Sequence, residues 1–201
     1  MLIRQKDLLA GIFFLTILLG MNVGKSYAGE TIKFGPHEAK IEGAIKYSLI
    51  GSYRAHFNDF KGRITFDERS RQIGSVYLEI EAGSIRSDHP WCDKIARSRR
   101  LLYALRYPKI IFKSDKIIQD KNGYKVKGVL EMHGVKRKML FPFNAVIVND
   151  PVTKREWYDV KGSWDIDRKG FNIIWNKYLD RGGILVNDIF TVNWSIMVRI
   201  K

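Results

Sequence analysis

The side chains of this 201-residue chain that could do chemistry are four histidines, one cysteine, a pair of neighbouring aspartates and a cluster of arginines. His37, His56, His89 and His133 lie far apart, in none of the short spacings such as H-x-x-x-H that bring two imidazoles onto one metal. His89 and Cys92 set a base three residues from a thiol, but a pair at the polar start of a helix is more commonly a pair of surface neighbours. Asp165 and Asp167 share one face of a strand, as carboxylates near strand ends routinely do. Arg97, Arg99, Arg100 and Arg106 either clamp a phosphate or solvate a helix face. No G-x-x-x-x-G-K, G-x-S-x-G or C-x-x-C occurs. The expectation is a protein that binds rather than catalyses, with no metal and no cofactor.

What stands out instead is apolar and aromatic. Phe, Tyr and Trp supply 12% of the residues, and many fall on one parity of strand-like segments. In Tyr124–Phe143 the residues Tyr124, Val126, Gly128, Leu130 and Met132 alternate with Lys125, Lys127 and Glu131. After His133-Gly134 the alternation resumes with Val135, Met139, Phe141 and Phe143. That is the period of two half-buried strands joined by a short Gly-containing turn. Pro142 gives no N–H to a ladder, so it belongs at an edge, a bulge or a bend.

The same period runs through Val76–Ala82 and through Phe190–Ile200, and less regularly through Thr31–Tyr53, Phe60–Phe66, Ile110–Ile118 and Trp157–Ile166. Asp88–Leu105 changes to helical spacing, with Ser87 or Asp88 to cap it, Pro90 in the first turn and Pro108 beyond its end. Seven to nine strands with short links predict an all-β meander with one inserted helix. The bend signals at Gly62, Gly128 and Pro142 favour a sheet closed into an antiparallel barrel of about eight strands.

Two features bear on location. Arg4 and Lys6, the apolar run Leu8–Leu19 and Ser26-Tyr27-Ala28 read as a secretory signal cleaved after Ala28. The run is shorter than the roughly 20 residues of a membrane-spanning helix. Residues 1–28 are thus the expected leader, and 29–201 a single exported domain. A lone Cys92 excludes an internal disulfide, so the core must hold the fold unaided. The net charge of +14 falls by two with the leader. Such an excess either keeps an apolar β-protein in solution or attracts an anionic surface; export argues against nucleic acid. Oligomeric state is not legible.

LEMHGVKRKMLFPF resembles the L-x-I-H-G-V-T-K-x-V-x-L-P-x signature of the YceI-like family of lipocalin-like, polyisoprenoid-binding periplasmic proteins. FKGRITFD, Phe60–Asp67, is similar to that family's F-x-G-x-I-x-F-D. Asp93, Ser98, Tyr107, Pro108, Ile110, Phe112 and Ser114 match in register downstream of Ser84-Ile85, and Ile166-Asp167-Arg168 matches I-x-R. The chain departs from the pattern at Tyr47, Arg86, Cys92, Ile95 and Leu101-Leu102. The resemblance implies a lipocalin-like barrel that binds a long-chain polyisoprenoid, of isoprenoid quinone or polyprenyl type.

The residues expected to line such a cavity are Ile45, Phe60, Phe66, Leu78, Ile80, Leu102, Phe112, Leu130, Met132, Phe141, Phe143, Trp164, Ile166 and Trp194, with Arg168 and Tyr47 as polar groups at its mouth. Arg168 ends the Trp157 strand, where it either anchors the ligand or orders the loop, and Asp165 is an alternative partner. A buried CH₂ is worth roughly 0.8 kcal/mol, while association costs on the order of 4–15 kcal/mol, so several isoprene units must be enclosed. The partners expected are the lipid and, transiently, an anionic membrane surface. The alternative is a solid β-core acting as a basic interaction protein on an anionic envelope component.

Overall fold

The computed structural model describes residues 30–47, 51–67, 70, 72–121, 123–176 and 186–199. The expected leader over Met1–Ala28 and its expected cleavage point lie outside them. The strands are β1 (Thr31–Phe34), β2 (Ala39–Tyr47), β3 (Gly51–Phe57), β4 (Phe60–Phe66), β5 (Ile73–Glu81), β6 (Ile85–Arg86), β7 (Lys109–Asp120), β8 (Gly123–Met132), β9 (Val135–Asn149), β10 (Glu156–Asp167) and β11 (Val186–Arg199). Among the described residues one helix, α1 (Pro90–Arg97), and two 3₁₀ turns, Ala82–Ser84 and Arg168–Phe171, complete the elements.

All the strands form one antiparallel sheet in the order β1-β4-β5-β7-β8-β9-β10-β11-β2-β3-β6. Eleven strands replace the expected eight or so because two long staves are bent. The Gly35–Glu38 turn, whose Gly35 carbonyl accepts from the amides of Glu38 and Ala39, divides β1 from β2. Asn58-Asp59 divides β3 from β4. On one side of the bend β1 pairs with β4, and on the other β2 pairs with β3. The two edges of the curled sheet are therefore joined through the chain itself, and the architecture is a lipocalin-like barrel.

The β8–β9 hairpin shows how the alternation becomes structure. Met132 pairs with Val135 across His133-Gly134, whose φ angles of 53° and 76° are those of a type I′ turn. Val126, Leu130, Met132, Phe141 and Phe143 turn inward and are buried, while Lys127, Lys136 and Lys138 are exposed. The β9–β10 ladder stops at Asn144–Lys161, just past Pro142, which has no N–H to extend it. Beyond that point the Phe141 ring stacks on Trp164 at 4.1 Å.

Two glycines let aromatic rings lie flat on the sheet. Gly62 is the cross-strand partner of Phe34, and Gly162 that of Trp194. A Cβ on Gly162 would meet the Trp194 indole at 2.6 Å, so only glycine admits the ring at this packing.

The helix is shorter than its spacing predicts. It ends at Arg97 because both the amide and the hydroxyl of Ser98 donate to the Ile95 carbonyl, at 3.0 and 2.7 Å, while Ser98 itself is extended. His89, without a side-chain hydrogen bond, holds the N-cap position expected of Ser87 or Asp88, and Pro90 opens the first turn. Leu102 and Leu105, read as helical, lie in the turns that follow, one partly buried and one fully exposed.

Candidate ligand-binding site

A cavity of about 210 Å³ runs through the barrel, and its wall is apolar throughout. Roughly 10–15 Å³ is enough for one water, but a water needs two to four polar partners, which this wall does not offer. The space suits hydrocarbon. The interior is thus hollow, which sets aside the solid core of the alternative reading.

Of the fourteen apolar residues expected to line a pocket, all but Phe60 and Phe66 border the cavity. Those two are buried in the surrounding core, and Phe66 stacks on Tyr158 at 4.3 Å in the region of the β4–β5 and β9–β10 turns. On β8, β9 and β11 the bordering side chains share one parity, as the pleat requires, whereas on β2 the consecutive Gly43, Ala44 and Ile45 all border the cavity. Trp164 is the hub: it stacks on Phe141 and meets Trp194 edge-on at 5.8 Å, and Trp194 in turn lies 6.1 Å from Phe143. The indole N–H groups of both tryptophans are buried without a hydrogen-bond partner.

Sequence reasoning missed part of the wall. Ile41, Ile64, Val160 and Val192 share the parity of residues already named on their own strands, so period alone could have found them. Ala96 and Leu101 could not be found that way, because they come from α1 and the turn after it, which fold over the cavity.

This cover is fixed by a buried carboxylate. Asp93 on α1 accepts from the Tyr53 hydroxyl of β3 at 2.8 Å, from the Ser87 hydroxyl at 2.6 Å and from the Ser87 amide at 3.2 Å. Burial alone would raise the Asp93 pKa, but the hydrogen bonds from Ser87 and Tyr53 outweigh it and hold the carboxyl below its ordinary value. Burial and the bond to Asp93 push the Tyr53 hydroxyl above its usual range. Arg97 reaches back to the Ile85 carbonyl at 3.2 Å.

Arg168 is 1% exposed, and all five of its N–H groups are engaged. Nε donates to the Asn187 carbonyl; one terminal nitrogen donates to the carbonyls of Ile173 and Trp175; the other donates to the Val186 carbonyl and to Asp188 at 3.1 Å. No donor remains for a ligand headgroup. The residue borders the cavity and ties together the two ends of the segment between β10 and β11, which is the loop-ordering role. Asp165, the alternative partner, instead accepts from Thr191 at 2.6 Å. Tyr47 pairs in β2 with Val186 and Gly51; its side chain lies outside the described residues.

Beside this loop, His133 Nδ1 donates to the Phe171 carbonyl at 3.1 Å, and its ring lies 4.6 Å from that of Tyr107. Burial keeps the imidazole below its ordinary pKa and therefore neutral. Among the described residues no three of His, Cys, Asp or Glu gather as metal ligands would, and no helix is long and apolar enough to cross a membrane.

Solved structures share this architecture. Burkholderia cenocepacia BcnA superposes with a TM-score of 0.66 at 19% identity, covering 80% of this chain and 96% of that one. The Campylobacter jejuni YceI protein gives 0.65 at 19%, covering 78% and 90%. A polyisoprenoid binding domain from Saccharophagus degradans gives 0.62 at 11%, covering 86% and 99%. In sequence, a UPF0312 protein of Yersinia enterocolitica is 34% identical over 127 residues, 59% of this chain and 66% of that protein, and one of Yersinia pestis is 32% identical over the same span. The chain thus spans just under two thirds of the length of these relatives. Residues 32–198 match the model of the YceI-like domain, and the chain belongs to that family.

Proposed function

We propose that this protein binds and carries a long-chain polyisoprenoid lipid, of isoprenoid quinone or polyprenyl type, in the barrel cavity and catalyses no reaction on it. The observation that carries the reading is the cavity itself: about 210 Å³, apolar throughout and reaching from the Phe190–Trp194 strand to the underside of α1. An apolar chain entering it leaves water at roughly 25 cal/mol per Å², so each enclosed isoprene unit adds to binding. The family assignment and the Saccharophagus domain described as polyisoprenoid-binding support the same ligand class. The leader expected over Met1–Ala28 would place the carrier in the periplasm.

The test is titration of delipidated protein with a long-chain isoprenoid quinone. The quinone should quench tryptophan emission saturably, through Trp164 and Trp194, and a short-chain quinone should bind far more weakly. Equal affinity for the short and long chains would contradict the reading.

A further inference from the structure

We infer that the α1 end of the barrel is a docking face for an anionic membrane surface, with Trp91, Leu105 and Ile174 entering the interface. These side chains are 71%, 95% and 72% exposed. They lie on α1, on the turns after it and on the segment after Arg168–Phe171, all connections at one end of the barrel. These connections touch: the Arg100 guanidinium sits 5.4 Å from the Trp175 ring, and the Ala104 amide donates to the Arg97 carbonyl at 3.0 Å. An apolar side chain in water gains nothing by exposure, whereas tryptophan with aliphatic neighbours suits the boundary between headgroups and acyl chains.

Charge decides what meets the face. Lys94, Arg99, Arg100 and Arg106 are exposed on the same connections, where the acidic side chains among the described residues are Asp88 and the buried Asp93. The connections at the opposite end mix Asp67 and Asp150 with Lys121, Lys154 and Arg155. A second copy of the chain would set one basic face against another, while an anionic leaflet complements it and attracts each basic residue. The face also covers the cavity, because Ala96, Leu101 and Leu102 from the same connection form part of the cavity wall. Docking would therefore bring the covered end of the lipid site to the bilayer. That purpose rests on the proposed lipid-carrying function; the surface argument does not.

The experiment is co-sedimentation of the mature protein with vesicles of phosphatidylcholine alone and of phosphatidylcholine mixed with phosphatidylglycerol. Binding is expected to the mixed vesicles only and to fade at high salt. A Trp91→Ser/Leu105→Ser/Ile174→Ser variant and an Arg99→Gln/Arg100→Gln/Arg106→Gln variant should each bind at least about tenfold more weakly, with melting temperature and extractable lipid as in the parent. Equal binding to both vesicle types, or parent-like binding by both variants, overturns the inference. So does a concentration-dependent dimer that the same substitutions dissociate. Loss of the carrier reading would look different: no extractable lipid, with charge-dependent vesicle binding intact.

Discussion

The Tyr53 hydroxyl of β3 donates to the buried carboxylate of Asp93 on α1 at 2.8 Å, and this bond pins the cover over the cavity to the barrel wall. Tyr53→Phe should lower stability by about 1–3 kcal/mol, because Asp93 stays buried with one acceptor position unfilled. The pH dependence follows from the two shifts. The Asp93 pKa is depressed below 3.8, so its contribution is present above that value and lost as pH falls through the lower folded one. The Tyr53 pKa is raised above 10.0, so its contribution persists below that value and is lost as pH rises through the folded one. Urea unfolding across acid pH should show a shallower acid limb for Asp93→Asn than for the parent; superimposable limbs would refute the assignment.

Arg168→Ala should cost about 3–5 kcal/mol, since it strips partners from four backbone carbonyls and from Asp188. Arg168→Lys should recover little of this, because an ammonium cannot reproduce the five-donor fork. Limited proteolysis should cut both variants within 173–188. A stability change under about 0.5 kcal/mol, typical of a surface position, would contradict the clamp.

Much of this was legible in the sequence, and the reasons for success and failure are physical. Inward parity at Leu130, Met132, Phe141, Phe143 and Trp164 could be read because a period of two admits only one buried face. Thr31–Tyr53 reads as an irregular strand pattern, but its residues do not show that the chain changes partners at the Gly35–Glu38 turn, since pairing is a property of the closed sheet. Asp93 and Ser98 stood out through family resemblance, yet the Tyr53 and Ser87 partners of Asp93 come from separate elements with no pattern linking them. Arg168 carries two readings in the sequence, ligand anchor or loop order, and the sequence does not choose between them, because four of its five acceptors are backbone carbonyls that carry no residue signature.

Gly162→Ala should destabilise the barrel by about 1–3 kcal/mol through overpacking, as the new methyl group would stand 2.6 Å from the Trp194 ring. Shifting that ring narrows the cavity, so lipid retention should fall as well. Chemical denaturation and lipid quantification on the same preparation check both effects.

Trp164→Ala enlarges a space that is already open. Its stability cost should therefore fall below the about 3–5 kcal/mol of a solid core, while the loss of retained lipid should be large. Denaturation showing a full core-sized penalty with lipid content unchanged would mean that Trp164 is packing alone.

The most direct measurement is organic extraction of the purified protein followed by mass spectrometry. The cavity predicts release of a long polyisoprenoid lipid in amounts approaching one per chain, reduced in Trp164→Ala and Trp194→Ala. Protein that yields no apolar lipid, and takes none up when long-chain isoprenoids are supplied after delipidation, would contradict the account.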